Sequence, residues 1–526
     1  MKKSIISLLL FISYSALSAS AYKIKDVEYN LEGSRAEFTG ITREYALKTK
    51  VPVDFKRKFN NEDELIEYIK DVKQQIENTR NFEKVNIDFA IIDPDESDVC
   101  GVLLRISTYD SMHFIAAPYP KYSSGDSMNL TVKLKDTNFM GSMETMTGEA
   151  KFAIELNDDD SPKDYLVGFG LEFETPFQLG TLDASWNNNL DFSYTFGDST
   201  PEWSFDSGLS LTKKFNKFSV VATANQIFAR NLDYDEEDKN GLVYHYGDGT
   251  YFGEKLELSI PITIQEIDNW GKIYYTPFFS GVYYWDFDGI DERNTDLSSP
   301  VISFGQTLST GRVNWIENFR NGLSASITNS FAYNFQTYSF KPSVEGEIQA
   351  YKAFKRFAIC TDVYGFAVMN GTKSFGERLR GIRDKQYFSD DTGDHKYEKA
   401  CESAGALVIN FDIPIRICRI YWDQIPVIKK IKFAKYFNLE AQISPFIDFA
   451  LFHNEASGTA FNPKDGFLCG GIEGIIYPLR IRGIQVRASF GVDLSRKMPK
   501  LNAFFNQDWR DNVSSYELSI GLGLHY

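Results

Sequence analysis

The chain is short of cysteine, histidine and positive charge, and each shortage removes a class of protein. Five cysteines in 526 residues cannot build the dense disulfide framework of a small secreted scaffold, and an odd count leaves at least one thiol outside any intramolecular pair. The five histidines, His113, His245, His395, His453 and His525, are scattered; with no H-E-x-x-H and no C-x-x-C, the residues do not assemble a zinc enzyme. Phosphate-cradling glycine patterns are missing as well. Gly197-Asp198-Ser199-Thr200 is the nearest approach to a nucleophile motif, but no positioned base accompanies it and the stretch reads as a hairpin loop. No catalytic residue, cofactor or metal is assigned, and the chain is read as not an enzyme. Lys and Arg number 56 against 72 Asp and Glu, a net charge of −16, which is the wrong sign for neutralising nucleic-acid phosphates. Beyond residue 21 no apolar run approaches the roughly 18 residues that a membrane helix needs. That leaves a soluble secreted protein, or a membrane protein built of strands, whose apolar signal per segment is far weaker.

What the chain has in quantity is aromatic side chains, 43 Phe and 29 Tyr, more than a soluble enzyme needs. Lys2 and Lys3, the apolar run Ile5–Leu17 and Ala19-Ser20-Ala21 read as a secretory signal peptide over 1–21, cleaved before Tyr22. Residues 22–110 then mix two periods. "YKIKDVEYNLEG", "FEKVNIDFAI" and "GVLLRIS" read as strands, while "NEDELIEYIKDVKQQIENTR" sets Leu65, Ile66, Ile69, Val72 and Ile76 on one helical face. Asn61 with Glu64 three residues on is a helix start of capping-box type. The reading is a small α+β domain over 22–110.

From residue 111 the helical period disappears. Runs with period two follow one another, among them "DYLVGFGLEFETP", "EKLELSIPITI" and "GALVINFDIPIRI". In the last of them, "SYELSIGLGLHY", Tyr516, Leu518, Ile520, Leu522, Leu524 and Tyr526 share one face, and Ser515, Glu517, Ser519, Gly521, Gly523 and His525 the other. A soluble sandwich uses strands of about 5–6 residues. Longer runs with aromatics at both ends of the apolar face fit a transmembrane barrel with two interfacial girdles, built here from about 16 to 18 segments. The fold class is mainly β: a transmembrane antiparallel barrel over 111–526, preceded by the α+β domain. The acidic stretches "NDDDSPKD" and "LDYDEEDKNG" read as solvated loops between strands, with a calcium site as the alternative. Residues 419–438, with Lys429, Lys430, Lys432 and Lys435 among Ile, Val and Phe, read either as a basic segment on the membrane surface or as a strand extension.

One stretch breaks the alternation. "FGERLRGIRD", 375–384, holds three arginines and two glycines between long strand-like runs. Parity then places two carboxylates. Asp448 shares a face with Glu440, Gln442 and Ser444, opposite Ile443 and Ile447; Asp412 shares a face with Asn410, opposite Ile409 and Phe411. Both carboxylates are expected to point into the lumen from neighbouring strands.

The order of elements resembles the BamA/TamA superfamily of outer-membrane assembly and translocation proteins, also called the bacterial surface antigen family. "NTRNFEKVNIDF" is similar to the exit from the helix of a POTRA domain, and "LKDTNFMG" at 134–141 to an early barrel motif. "RGIRD" at 380–384 resembles the arginine–glycine motif of the long sixth loop. "NFDIPI" at 410–415, "PFIDFA" at 445–450 and "GGIEGIIYPLRIRG" at 470–483 resemble the strands that follow it. Ile382 stands where the family usually has an aromatic, Asp412 where it has Glu and Ala450 where it has Gly. The resemblance implies sixteen strands, a single POTRA domain in the periplasm over 22–110, and a loop over 370–403 folded into the barrel. There Arg380, Gly381, Ile382 and Arg383 would dock on Asp448 and Asp412, with Arg380 as the pairing arginine and Arg383 and Arg378 as weaker candidates for its role. It further implies an outer-membrane assembly factor, an insertase or translocase. Such a protein captures client strands by strand addition to its POTRA domain and templates them at the seam formed by the terminal strand, here Tyr516, Leu518, Ile520, Gly521, Leu522, Gly523, Leu524 and Tyr526. Its partners would be outer-membrane lipids, unfolded outer-membrane clients and periplasmic accessory proteins, not nucleic acid. A secretion port or pore of the same superfamily and a surface antigen or adhesin remain the alternatives.

Overall fold

A computed structural model describes residues 21–33, 41–94, 99–123, 127–156, 162–197, 201–230, 249–267, 269–287, 290, 297–382, 385–389, 395–399, 401–431, 434–455, 457–505 and 516–522. The segment read as a signal peptide falls almost wholly outside these residues, as do the two acidic stretches over most of their length.

The mixed periods of the first hundred residues produce an α/β unit. Strands β1 (Ala21–Glu32), β2 (Lys58–Phe59), β3 (Phe82–Pro94) and β4 (Val99–Asp110) form a sheet of order β2-β1-β4-β3, with β1 and β4 parallel. Helices α1 (Glu44–Lys50) and α2 (Glu62–Asn78) cover one face. Leu65, Ile69, Val72 and Ile76 of α2 are buried, and they meet Ile24, Val102, Leu104 and Ile106 of the sheet in one apolar cluster. Asn61 caps α2 by accepting the Glu64 N–H at 2.8 Å, and the Glu64 carboxylate accepts the N–H of Asn60 rather than that of Asn61. Sequence periodicity shows neither α1 nor β2, which are too short to display a period.

Beyond Asp110 every long strand belongs to one closed antiparallel barrel. Its 21 strand segments reduce to eighteen staves among the described residues. Tyr251–Ser259 and Ile262–Ile267 both pair with Gly271–Trp285, and Gly405–Asp412 and Ile415–Ile420 both pair with Leu439–Asn454, so each couple is one broken stave. Both breaks fall at Ile-Pro-Ile, where Pro261 and Pro414 lack the N–H that would continue the ladder. Thr459–Ala460 only extends a hairpin of Leu439–Asn454. Thirteen staves precede the segment 369–404 and five follow it. This corrects the sixteen strands that the resemblance implies: the surplus of two lies ahead of the loop.

Alternation sorts the side chains as a membrane-spanning wall requires. Along Leu439–Asn454 each even-numbered residue, Glu440 to Asn454, is buried, while Ile447 is half exposed outward. Ile302, Phe304 and Leu308 are exposed on Val301–Ile316, as are Leu518 and Ile520 on Tyr516–Leu522. No helix among the described residues is long and apolar enough to cross a membrane.

The α/β unit sits across one mouth of this barrel. Asp71 of α2 takes a two-pronged ion pair from Arg312. Gln74 donates to the Trp315 carbonyl at 2.9 Å, and Asn78 donates to Asn314 at 2.8 Å. Arg80, at φ 57° just past the helix, inserts its guanidinium over the Trp315 ring at 4.2 Å. It donates to the carbonyls of Glu317 and Arg482 and to Asn318. Burial lowers the Arg80 pKa to about 10, which still leaves it charged at neutral pH. The motif "LKDTNFMG" lies at the opposite fastening. Asn138 donates to Thr42 (3.0 Å) and Asp110 (3.3 Å), and the Gly141 carbonyl accepts the Arg43 N–H at 2.8 Å. Gly141 has φ +73°, and a Cβ there would lie 2.4 Å from the Ile41 carbonyl oxygen, so only glycine permits this approach.

Candidate functional site

The charged stretch 375–382 is folded into the lumen. Three apolar side chains wedge it there. Phe375, Leu379 and Ile382 are buried with Val408, Ala450, Phe452 and Phe467 of the wall, and the Phe375 and Phe452 rings lie 5.2 Å apart. Between them, Arg378 and Arg380 reach neighbouring parts of the wall, Arg378 the staves Ser339–Ala353 and Ala358–Val368 and Arg380 the two that follow. Arg378 donates to Glu347 at 2.7 Å, lies 3.5 Å from Asp362 and stacks over the Tyr364 ring at 3.7 Å. Lys373 adds an ion pair with Glu345 at 2.6 Å.

Arg380 is the centre of the site. Its Nε and Nη2 donate to the two oxygens of Asp448 at 2.9 and 2.6 Å, and its Nη1 and Nη2 donate to the two of Asp412 at 2.7 and 3.2 Å. Its own backbone N–H also donates to Asp448, at 2.9 Å. Phe446 lies flat beneath the guanidinium at 3.7 Å, a cation–π contact. Asp448 is held from a third side by Asn410, its cross-strand partner, at 2.8 Å. The group is buried: the side chains of Arg380, Asp448 and Asp412 are 5%, 0% and 11% exposed. A guanidinium presents two edges, so one arginine serves two carboxylates where a lysine ammonium cannot.

Gly381 makes this approach sterically possible. It has φ +107°, and a Cβ there would stand 2.7 Å from the Val492 nitrogen; a Cβ on Gly491 would meet the Arg380 carbonyl at the same distance. The loop backbone therefore lies directly against the strand Val486–Asp493. Next to that strand is Tyr516–Leu522, and the Glu517 carboxylate accepts the Gly381 N–H at 3.0 Å. The loop thus touches a continuous run of neighbouring staves, from Ser339–Ala353 to the last described strand.

Sequence reasoning placed Arg380, Gly381, Ile382, Asp412 and Asp448 in one group, and the structure brings these five together; Arg383 lies outside the described residues. Tyr516, Leu518 and Ile520 face outward, while Gly521 and Leu522 pair with Arg487 and Val486. Gly523, Leu524 and Tyr526 lie outside the described residues. The terminal strand adjoins Phe114–Ser123 and so closes the barrel. Three participants were missed: Glu473, which is buried, pairs with Arg487 and stands 4.0 Å from Arg380; Glu517; and Gly491. All three lie at lumen-facing parity, the signal that could have found them. No group of side chains among the described residues is arranged to hold a metal ion.

No protein-family model and no curated protein matches the chain. Among solved structures it is similar to CdiB from Acinetobacter baumannii, at 10% identity and a TM-score of 0.44, over 96% of this chain and 74% of that one. It is also similar to CdiB from Escherichia coli, at 10% identity and 0.44, over 95% and 75%. A third similar structure is BamA from Haemophilus ducreyi lacking POTRA domains 1-3, at 11% identity and 0.36, over 95% and 84%.

Proposed function

We propose that this is an outer-membrane barrel that handles other polypeptides, an assembly factor of insertase or translocase type with its α/β unit acting as a POTRA domain in the periplasm. The observation that supports this most directly is the loop itself. It is held by buried charge against several strands, one of them the seam strand Tyr516–Leu522 through Glu517. In this reading the α/β unit takes up extended client segments by strand addition. The seam between Phe114–Ser123 and Tyr516–Leu522 templates them, and the docked loop braces the wall while the seam opens.

A secretion port is the second reading, favoured by the position of the α/β unit across the mouth, where Arg80 would serve as a latch on the route of a secreted chain. Conditional depletion followed by proteomics of the outer-membrane and secreted fractions separates the two. General loss of barrel proteins supports the assembly factor, and loss of one secreted product supports the port. An unchanged profile in both fractions refutes the proposal and favours a surface antigen.

A further inference from the structure

Two turns on the rim that faces the α/β unit expose apolar side chains beside cations that make no ion pair among the described residues. The segment between Ile415–Ile420 and Leu439–Asn454 is not the strand extension that was one of its two readings. It is a chain of three one-turn 3₁₀ segments, at Trp422–Gln424, Ile428–Lys430 and Ala434–Phe437. Val427 is 83% exposed and Phe437 66%. The adjacent turn Phe354-Lys355-Arg356-Phe357 stacks its two rings at 4.6 Å on the outside of the barrel. Phe357 bridges to Ile415, and the Lys355 carbonyl accepts from Arg416, so this turn lies against the start of the stave that leads into the 3₁₀ segments. Arg416 and Arg419 both reach Glu317, in the hairpin turn under the α/β unit, which fixes the rim to which this surface belongs.

Such exposure is unfavourable in water and expected at a bilayer surface. The surface also continues the lipid-facing belt without a gap: Ile415 and Ile417 are exposed on the stave that leads into it. Lys355, Arg356, Lys429 and Lys430 are exposed, and none makes an ion pair among the described residues, although the chain as a whole carries a charge of −16. We propose that residues 354–357, 421–431 and 434–437 form a docking surface for anionic phospholipid headgroups in the leaflet on the side of the α/β unit. Val427 and Phe437 enter the acyl boundary, and Lys355, Arg356, Lys429 and Lys430 contact lipid phosphates. The surface tethers the rim that carries the α/β unit to its leaflet. The inference rests on the barrel spanning the bilayer.

The test uses the full chain in nanodiscs of phosphatidylcholine, with or without 30 mol% phosphatidylglycerol. An environment-sensitive fluorescent amino acid replaces Val427, and in a second protein Ile447, on the outer wall. The Val427 probe should emit as in an apolar medium and be quenched by headgroup-nitroxide lipid, more strongly with phosphatidylglycerol. Lys429→Glu with Lys430→Glu should reduce the preference for anionic lipid by about fivefold per cation, with barrel folding checked by heat-modifiable gel mobility. Water-like emission without quenching at 427 overturns the proposal, as does quenching that ignores both lipid charge and the Lys→Glu changes. The Ile447 probe must be quenched by acyl-chain nitroxide in every case; if it is not, the membrane-spanning reading has failed rather than the docking surface.

Discussion

Replacing Arg380 by alanine isolates what holds the loop in the lumen. The side chain makes four hydrogen bonds to two carboxylates, one of them fully buried. Truncation leaves Asp448 with Asn410 and one backbone N–H, and leaves Asp412 without its cation. Removing one partner of a buried ion pair costs about 3–5 kcal/mol. Phe375, Leu379 and Ile382 still hold the loop, each by about 1.5–3 kcal/mol of apolar burial, so the Ala variant stays mostly docked. Its open population nevertheless rises by about two to three and a half powers of ten, at about 1.4 kcal/mol per tenfold. Chymotrypsin reads this change, because Phe375 and Leu379 are 1% and 2% exposed and can be cut only from the open form. Cleavage there tracks the open population when closing outpaces cutting. Arg380→Lys, which keeps the charge but not the fork, should fall between wild type and alanine. Combining Arg380→Met with Asp412→Asn and Asp448→Asn should restore most of the protection, since no buried charge is then left unpaired. Unchanged cleavage at Phe375 and Leu379 in Arg380→Ala, in a barrel that migrates as folded, refutes the docking argument.

Three further outcomes are expected. Leu308→Arg, on the outer face, should cost about 2–4 kcal/mol of barrel stability, while Thr307→Arg, facing the lumen, should be milder; urea titrations of the reconstituted protein compare them, and equal losses would contradict the assignment of faces. Burial in the α/β unit raises the Asp110 pKa from 3.8 to about 6, so the folded state binds this proton more tightly than the unfolded one and gains stability as pH falls from about 6 to about 4. Asp110→Asn should therefore raise the melting temperature relative to wild type most above pH 6, with the difference shrinking by pH 4; a pH-independent difference counts against it. Arg80→Ala should free the α/β unit from the mouth, seen as faster hydrogen exchange over 74–82 and 312–320 with barrel strands unaffected, and exchange identical to wild type would show that Arg80 is not a latch.

The composition and period of the sequence determined most of the architecture. Period two over long runs can only be satisfied by strands with two unlike faces, so barrel, lumen side and lipid side were legible, including the inward aim of Asp412 and Asp448. Period 3.6 over 61–80 did the same for α2. Parity, however, states which face a residue is on and not which other residues meet it there. That Arg380 reaches two carboxylates at once, that Glu517 of the terminal strand receives the Gly381 N–H, and that Gly491 makes room for the loop depend on how eighteen staves close, a long-range property. The number of staves itself escaped a reading by resemblance, because an extra pair of strands leaves every local pattern unchanged. Likewise, nothing in "TRNF" announces that Arg80 reaches the barrel rim beneath the α/β unit; two of its acceptors are backbone carbonyls, those of Glu317 and Arg482, which any residue could supply. Local chemistry set the elements and their faces, and only closure of the barrel decided which faces touch.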